Sequence, residues 1–249
     1  MVNLKGLASY CQDCGACAAR VSEFNISGMD PKIVERIVDE VVLSIQTEGS
    51  DSVTETSKSS IPLGVSNHHV HLTQQTLNIL FGEGSILEHY RPLYQPEDFA
   101  AKQTVTIVGS KMRAIQNVRI LGPLRDYDQV EISMTDAIYL GIKPPVRDSG
   151  DLEGAAPLTL VGPAGSVFLP HCAIIAGRHL HMSNQDAGKF DVKNGDLCRI
   201  RLLGEKPAIL ENVLVRTNDN WRLQLHLDTD EANATGSICG AKAEFLGKM

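Results

Sequence analysis

The chain has 249 residues, 43% of them hydrophobic, and a formal net charge of −7, enough length and apolar content for a substantial buried core. Without a lysine- or arginine-rich run, that balance argues against nonspecific nucleic-acid binding, which rests on neutralising phosphates. No apolar run approaches the roughly 18–20 residues of a membrane helix. The N-terminus MVNLKGLASYCQDCGAC also lacks the apolar region of a secretory signal, so a soluble intracellular protein with reduced thiols is expected.

Cys11, Cys14 and Cys17 open the chain as C-x2-C-x2-C, a spacing that suits metal ligation or part of an iron–sulfur site. No fourth cysteine follows nearby, and the plainer reading is a tail whose thiols do little. Cys172, Cys198 and Cys239 are scattered through apolar surroundings and read as small core hydrophobes.

Residues 30–46, DPKIVERIVDEVVLSIQ, form the clearest helical pattern. Asp30 can cap it and Pro31 fits the first helical position. Ile33, Ile37, Val41 and Ile45 recur every four residues beside Val34, Val38 and Val42, with charges on the other side. So many β-branched residues make a poor helix alone, and it should form against a partner surface. The stretch Thr47 to Pro62 has little to bury and reads as a disordered linker. The helix therefore either packs on its own domain or docks at the end of a strap.

From Ile61 onward the pattern is β-rich. Runs such as TVTIVG, NVRILG, QVEIS, LTLVG, SVFL, LCRIRLLG, ILENVLVRT and RLQLHLD lie between Gly, Pro, Asn and Asp turns, which suggests small barrels or sandwiches. Two short helices are expected at about 73–81 and 184–189, each directly after a His-x-His strand. VSNHHVHLTQQTLNILFGEG aligns with IAGRHLHMSNQDAGKFDVKNG, which indicates an internal duplication. Each half later has a strand leading into a Thr-Asp pair, QVEISMTDA and LQLHLDTDEANA. On that alignment Glu131 and His226 stand one residue out of step. The expected fold is mainly β: two related small β-barrel domains with short capping helices, preceded by the amphipathic helix and linker. The expected bounds are 1–28 for the cysteine-containing extension, 29–60 for helix and linker, and 61–156 and 157–249 for the barrels, with strand 61–66 able to pair in the second.

Residues i and i+2 of a strand share a face. His69 and His71 can thus converge on one metal ion, as can His179 and His181, while His68 points the other way and reads as a bystander. With His226 and Glu131 on related strands, five imidazoles and a carboxylate suit two borderline ions such as Zn2+, three ligands each, with positions left for substrate. Arg125, in a Gly-Pro turn six residues before Glu131, suits a phosphate beside them, although a loop arginine taken alone reads first as one arm of a surface ion pair.

The motifs SNHHVHL, RPLYQPEDFAA, VRILGPLRDYDQVEIS, PVRDSGD, TLVGPAGSV, RHLHM and DTDEANA, in this order from about Pro62 to Glu244, together resemble the phosphate propanoyltransferases of the PduL type. The resemblance implies two β-barrels holding two divalent metal ions, taken as zinc. It implies the interconversion of acyl-CoA (typically propanoyl-CoA) and phosphate with acyl phosphate and CoA, in the lumen of a bacterial microcompartment. It places metal ligands on His69, His71, Glu131, His179, His181 and His226, the phosphate-binding arginine on Arg125, and CoA contacts on Ser66, Arg91, Arg119, Leu121 and Asn233. His68 stands where the family motif SNRHVHL has arginine, and Arg91 where lysine is expected. Residues 30–46 resemble the family's targeting peptide, which implies shell or cargo proteins as partners, and a homo-oligomer is expected. Two other readings fit the metal pattern: a dinuclear hydrolase of a phosphoester or thioester, and a shell-associated protein carrying structural zinc.

Overall fold

The computed structural model describes residues 60–249. The cysteine cluster at 11–17, the helix expected at 30–46 and the linker up to residue 59 lie outside the described residues. Ser60, Ile61 and Pro62, read from sequence as the linker's end, already pair with Glu244, Ala243 and Lys242.

The first half of the described chain supplies β1 (Ser60–Ser66), β2 (His69–His71), helix α1 (Gln74–Phe81), β3 (His89–Pro92), β4 (Phe99–Val108), β5 (Ala114–Gly122), β6 (Gln129–Glu131), helix α2 (Met134–Leu140) and β7 (Val146–Arg147). The second supplies β8 (Ala156–Val161), β9 (Ser166–Ala176), β10 (His179–Met182), helix α3 (Asn184–Phe190), β11 (Leu197–Leu202), β12 (Ala208–Thr217), β13 (Gln224–Asp228), helix α4 (Thr229–Thr235) and β14 (Lys242–Lys248).

These strands close two six-stranded barrels. One ring runs β4-β5-β2-β6-β9-β8 and back to β4, with β3 and β7 as appendages; the other runs β1-β13-β10-β12-β11-β14. The rings correspond strand for strand. In each, the His-x-His strand lies parallel to a long strand, β5 or β12, and antiparallel to a short one, β6 or β13.

The halves expected at 61–156 and 157–249 do not coincide with the barrels. β1 pairs with β13 and β14 in the second barrel, as strand 61–66 was expected to be able to do, but β9 pairs with β6 and β8 in the first. The chain therefore crosses between barrels twice, at Asn67-His68 and at Gly177-Arg178, each time directly before a His-x-His strand. The reason is geometric: a two-residue crossover leaves no turn signature long enough to mark a domain boundary.

Alternation decides which way the histidines face. Val70, between His69 and His71, is buried in the first core with Val130, Ile120, Leu72 and Leu158. Leu180, between His179 and His181, is buried in the second with Leu225, Val215, Ile200 and Leu63. The flanking histidines are thereby turned out of their barrels.

Each of the four strands that carry an expected metal ligand runs into a short capped helix. Thr73 and Ser183 cap α1 and α3. Ser133 with Asp136, and Asp228 with Glu231, form capping boxes at α2 and α4, which end at left-handed Gly141 and Gly236. Helices α2 and α4 were not expected; within the β-rich region helices were expected only after the His-x-His strands. Cys172 and Cys198 are fully buried as expected, but Cys239 is only partly so, its Sγ accepting from the Val65 amide at 3.2 Å.

Candidate active site

The ligand-bearing strands bring two clusters together. His69, His71 and Glu131 form one, and His179, His181 and His226 the other. Within each, the candidate ligand atoms all lie within 4.8 Å of one another. The ladder register makes the two equivalent: His69 is paired with Glu131, and His179 with His226. The one-residue offset expected between Glu131 and His226 is therefore corrected. It came from aligning the Thr-Asp pairs, which sit at different helical positions. Counted from the caps, Glu131 and His226 each stand two residues before the N-cap, Ser133 or Asp228.

The first histidine of each pair is oriented alike. His69 Nδ1 donates to the Asn67 carbonyl and His179 Nδ1 to the Gly177 carbonyl, both at 2.8 Å. This leaves Nε2 with the lone pair, the arrangement seen behind metal-bound histidines. His69 Nε2 lies 3.4 Å from a Glu131 oxygen, and the two triads act on one another, since His226 feels both His69 and Glu131.

Electrostatics separates the triads. Burial opposes charge on His69, but the charge and hydrogen bond of Glu131 outweigh it and raise its pKa. Burial opposes the charge of Glu131 too, yet His69 holds the carboxyl well below its usual range. Burial lowers the pKa of His71, His179 and His181, and takes His226 to about 3. Neutral imidazoles are metal ligands, not cations. Buried ring nitrogens of His181 and His226 have no hydrogen-bond partner among the described residues, and a desolvated polar atom left unpaired costs about 1–3 kcal/mol. A divalent ion in each triad fits this donor set.

Arg125 is tied to the first triad through side chains to which no role was given from sequence. Its backbone N–H donates to the Leu72 carbonyl at 2.9 Å, and its Nη1 to Tyr127 Oη at 2.9 Å and Ser149 Oγ at 3.3 Å. Gln129 Nε2 donates to Ser149 Oγ at 2.9 Å and to Glu131 at 2.6 Å, while Gln129 Oε1 accepts from the Gly150 amide. With both Ser149 acceptor positions taken, its own proton serves Glu131, whose charge it stabilises.

The sequence model of the phosphate propanoyltransferases matches residues 62–237, which take in all six triad residues, Arg125 and Ser149. The chain belongs to the phosphate propanoyltransferase family. Relatives carrying that name include one from Thermotoga maritima, 50% identical over 70% of this chain and 83% of the relative. One from Lachnoclostridium phytofermentans is 47% identical over 75% and 87%, and one from Priestia megaterium 45% identical over 83% and 92%.

The residues expected to touch CoA are more widely spread. Ser66 Oγ lies 3.4 Å from His69 Nδ1. Arg119 is paired with His69 across the ladder; its guanidinium donates to the Ala101 and Lys102 carbonyls and lies 5.2 Å from the Tyr90 ring centre. Leu121 follows two residues on along β5, Arg91 is on β3, and Asn233 is exposed on α4.

His68 does face away from the triad, but it is not idle. Its Nδ1 is 3.2 Å from Asp136, the capping-box acid of α2. At the equivalent crossover Arg178 reaches Glu231, the capping-box acid of α4, at 2.6 Å. Part-exposed pairs of this kind contribute about 0–1 kcal/mol. His68→Ala is accordingly expected to lower the melting temperature slightly and to retain bound metal, whereas His69→Ala loses metal. Equal metal loss in both, read by elemental analysis, would contradict this orientation.

Proposed function

We propose that the protein transfers an acyl group, propanoyl, between CoA and phosphate at a pair of divalent metal ions, one per triad. The observation that carries the reading is the pair of equivalent triads, with Arg125 linked through Ser149 and Gln129 to Glu131. Family membership supports the acyltransferase chemistry. The donor set supports the metal, zinc being the ion it suits best.

In the reaction a phosphate oxygen forms a bond to the thioester carbonyl carbon, the carbon–sulfur bond breaks, and CoA departs as its thiolate. Bound divalent ions would supply positive charge for the phosphate oxygens and for the charge developing on the carbonyl and sulfur. Arg125 holds and orients the phosphate with the guanidinium edges that Tyr127 and Ser149 leave open, and it offsets phosphate's repulsion from the CoA phosphates. His69, with help from Ser149, keeps Glu131 ionised, and the Gln129 amide fixes it in place. Cys172 and Cys198 are poorly suited to act as nucleophiles, because burial pushes both thiols up to about 12. Ser66, Arg91, Arg119, Leu121 and Asn233 would hold CoA.

The transferase reading requires reversibility. Propanoyl phosphate and CoA mixed with enzyme should yield the thioester, seen by its absorbance; a hydrolase of thioesters or phosphoesters would form none.

The amphipathic pattern of residues 30–46 supports a further part of the proposal, a location in the microcompartment lumen with the helix docking on shell or cargo proteins. A chain beginning at Ser60 should keep metal and turnover but no longer co-assemble. Val38→Asp in the full chain should likewise abolish encapsulation with activity intact. Loss of turnover on truncation would instead make the N-terminal region part of the working enzyme.

A further inference from the structure

The second triad has an arginine of its own. β12 lies beside β10 with Leu214 opposite His179 and Arg216 opposite His181, and Val215 between them is buried in the core. Leu214 and Arg216 therefore share the face of the histidines. The Arg216 guanidinium carbon stands 5.6 Å from the centre of the Trp221 ring, and that ring lies 4.3 Å from the His181 ring. Among the described residues no carboxylate pairs with Arg216, and the Trp221 ring is its side-chain partner. Its charge bears on His179, His181 and His226 alike.

The first barrel carries a different arrangement at the same places. There the ladder positions held by Leu214 and Arg216 are occupied by Arg119 and Leu121, and the Arg119 guanidinium is spent on backbone carbonyls. Positive charge near the first triad is met by Glu131, a ligand candidate itself. The second triad consists of three imidazoles; the carboxylates that act on it, Glu131 and Asp148, come from the first barrel's side of the junction. A part-buried guanidinium braced against an indole, with no carboxylate partner, beside a triad without an acid is suited to an anion. Both directions of the proposed reaction bring a phosphoryl group to the triads themselves, beside which Arg216 stands, in addition to the phosphates that CoA carries away from its thioester end.

We infer that Arg216, braced by Trp221, is a second phosphoryl-binding residue, taking inorganic phosphate in one direction and the phosphoryl end of acyl phosphate in the other. This rests on the transferase reading above. Trp221 is the chain's single tryptophan, so its emission reports on the site independently of turnover.

The test uses the full-length metal-loaded enzyme with Arg216→Met and Arg216→Lys. Arg216→Met should raise KM for phosphate about tenfold or more, the worth of a charge-assisted hydrogen bond. KM for propanoyl-CoA and bound metal should stay as in wild type, and Arg216→Lys should recover part of the loss. Inorganic phosphate alone should change Trp221 emission in wild type but not in Arg216→Met. Unchanged phosphate KM, a rise confined to the CoA substrate, or the same emission response in wild type and variant each overturns the assignment. If Arg216→Met does not fold, Arg216→Lys decides, with a phosphate KM equal to wild type counting against it. A wild-type enzyme lacking phosphate-dependent turnover would overturn the transferase reading and this inference together, whereas normal wild-type turnover matched by the variant overturns Arg216 alone.

Discussion

His179→Ala and His226→Ala should each leave a folded protein with less bound metal and almost no turnover. Each side chain is one third of a triad, and the two face one another across the β10–β13 ladder with ring centres 5.0 Å apart. Losing a partner behind a metal ligand costs roughly 10–100-fold in affinity or activity, and losing the ligand itself should exceed that. The loss should be local. His179 and His226 face out of the barrel, so the second core built on Leu180 and Leu225 remains packed and the circular dichroism spectrum should be retained. Elemental analysis should find the first triad's ion still present. Full metal content with wild-type turnover in both variants would end the two-ion reading.

Arg125→Lys should fold, keep its metal and need much more phosphate. The guanidinium now divides its donors: Nη1 is committed to Tyr127 and Ser149, and the remaining edges are left for an oxyanion. A lysine ammonium carries the charge but cannot make the planar two-point contact. Loss of one charge-assisted hydrogen bond is worth about 1.5–3 kcal/mol, so KM for phosphate should rise on the order of tenfold or more. Steady-state kinetics with phosphate and propanoyl-CoA varied separately would show this; unchanged phosphate kinetics would remove Arg125 from the site.

Sequence patterning carried the reading as far as pairing rules reach. His69 with His71, and His179 with His181, were legible because an i,i+2 pair on a strand shares a face whatever the tertiary arrangement, and the repeat of cap and helix after each exposed the duplication. The matching of Glu131 with His226 was within reach too. Ser133-x-x-Asp136 and Asp228-x-x-Glu231 are capping-box spacings, and aligning on them instead of on Thr-Asp gives the true register. Other features depend on contacts between distant segments. Strand 61–66 was expected to be able to pair in the second barrel, but that β9 belongs to the first follows only from pairing between distant segments, such as Val130 with Ala173. Ser149 reaches Arg125 and Gln129 from the loop after β7. Trp221, in the polar stretch TNDNW, gives no sign in sequence that it covers His181 and Arg216.

The central claim is phosphate-dependent acyl transfer that requires the metal-binding triads, and one measurement addresses it directly. CoA release from propanoyl-CoA is followed with and without phosphate, using enzyme as purified, after chelation, and after zinc is restored. The account predicts release only with phosphate present, lost on chelation and recovered on restoring the metal. Release at the same rate without phosphate, or full activity in chelated enzyme shown to be metal-free, would contradict it.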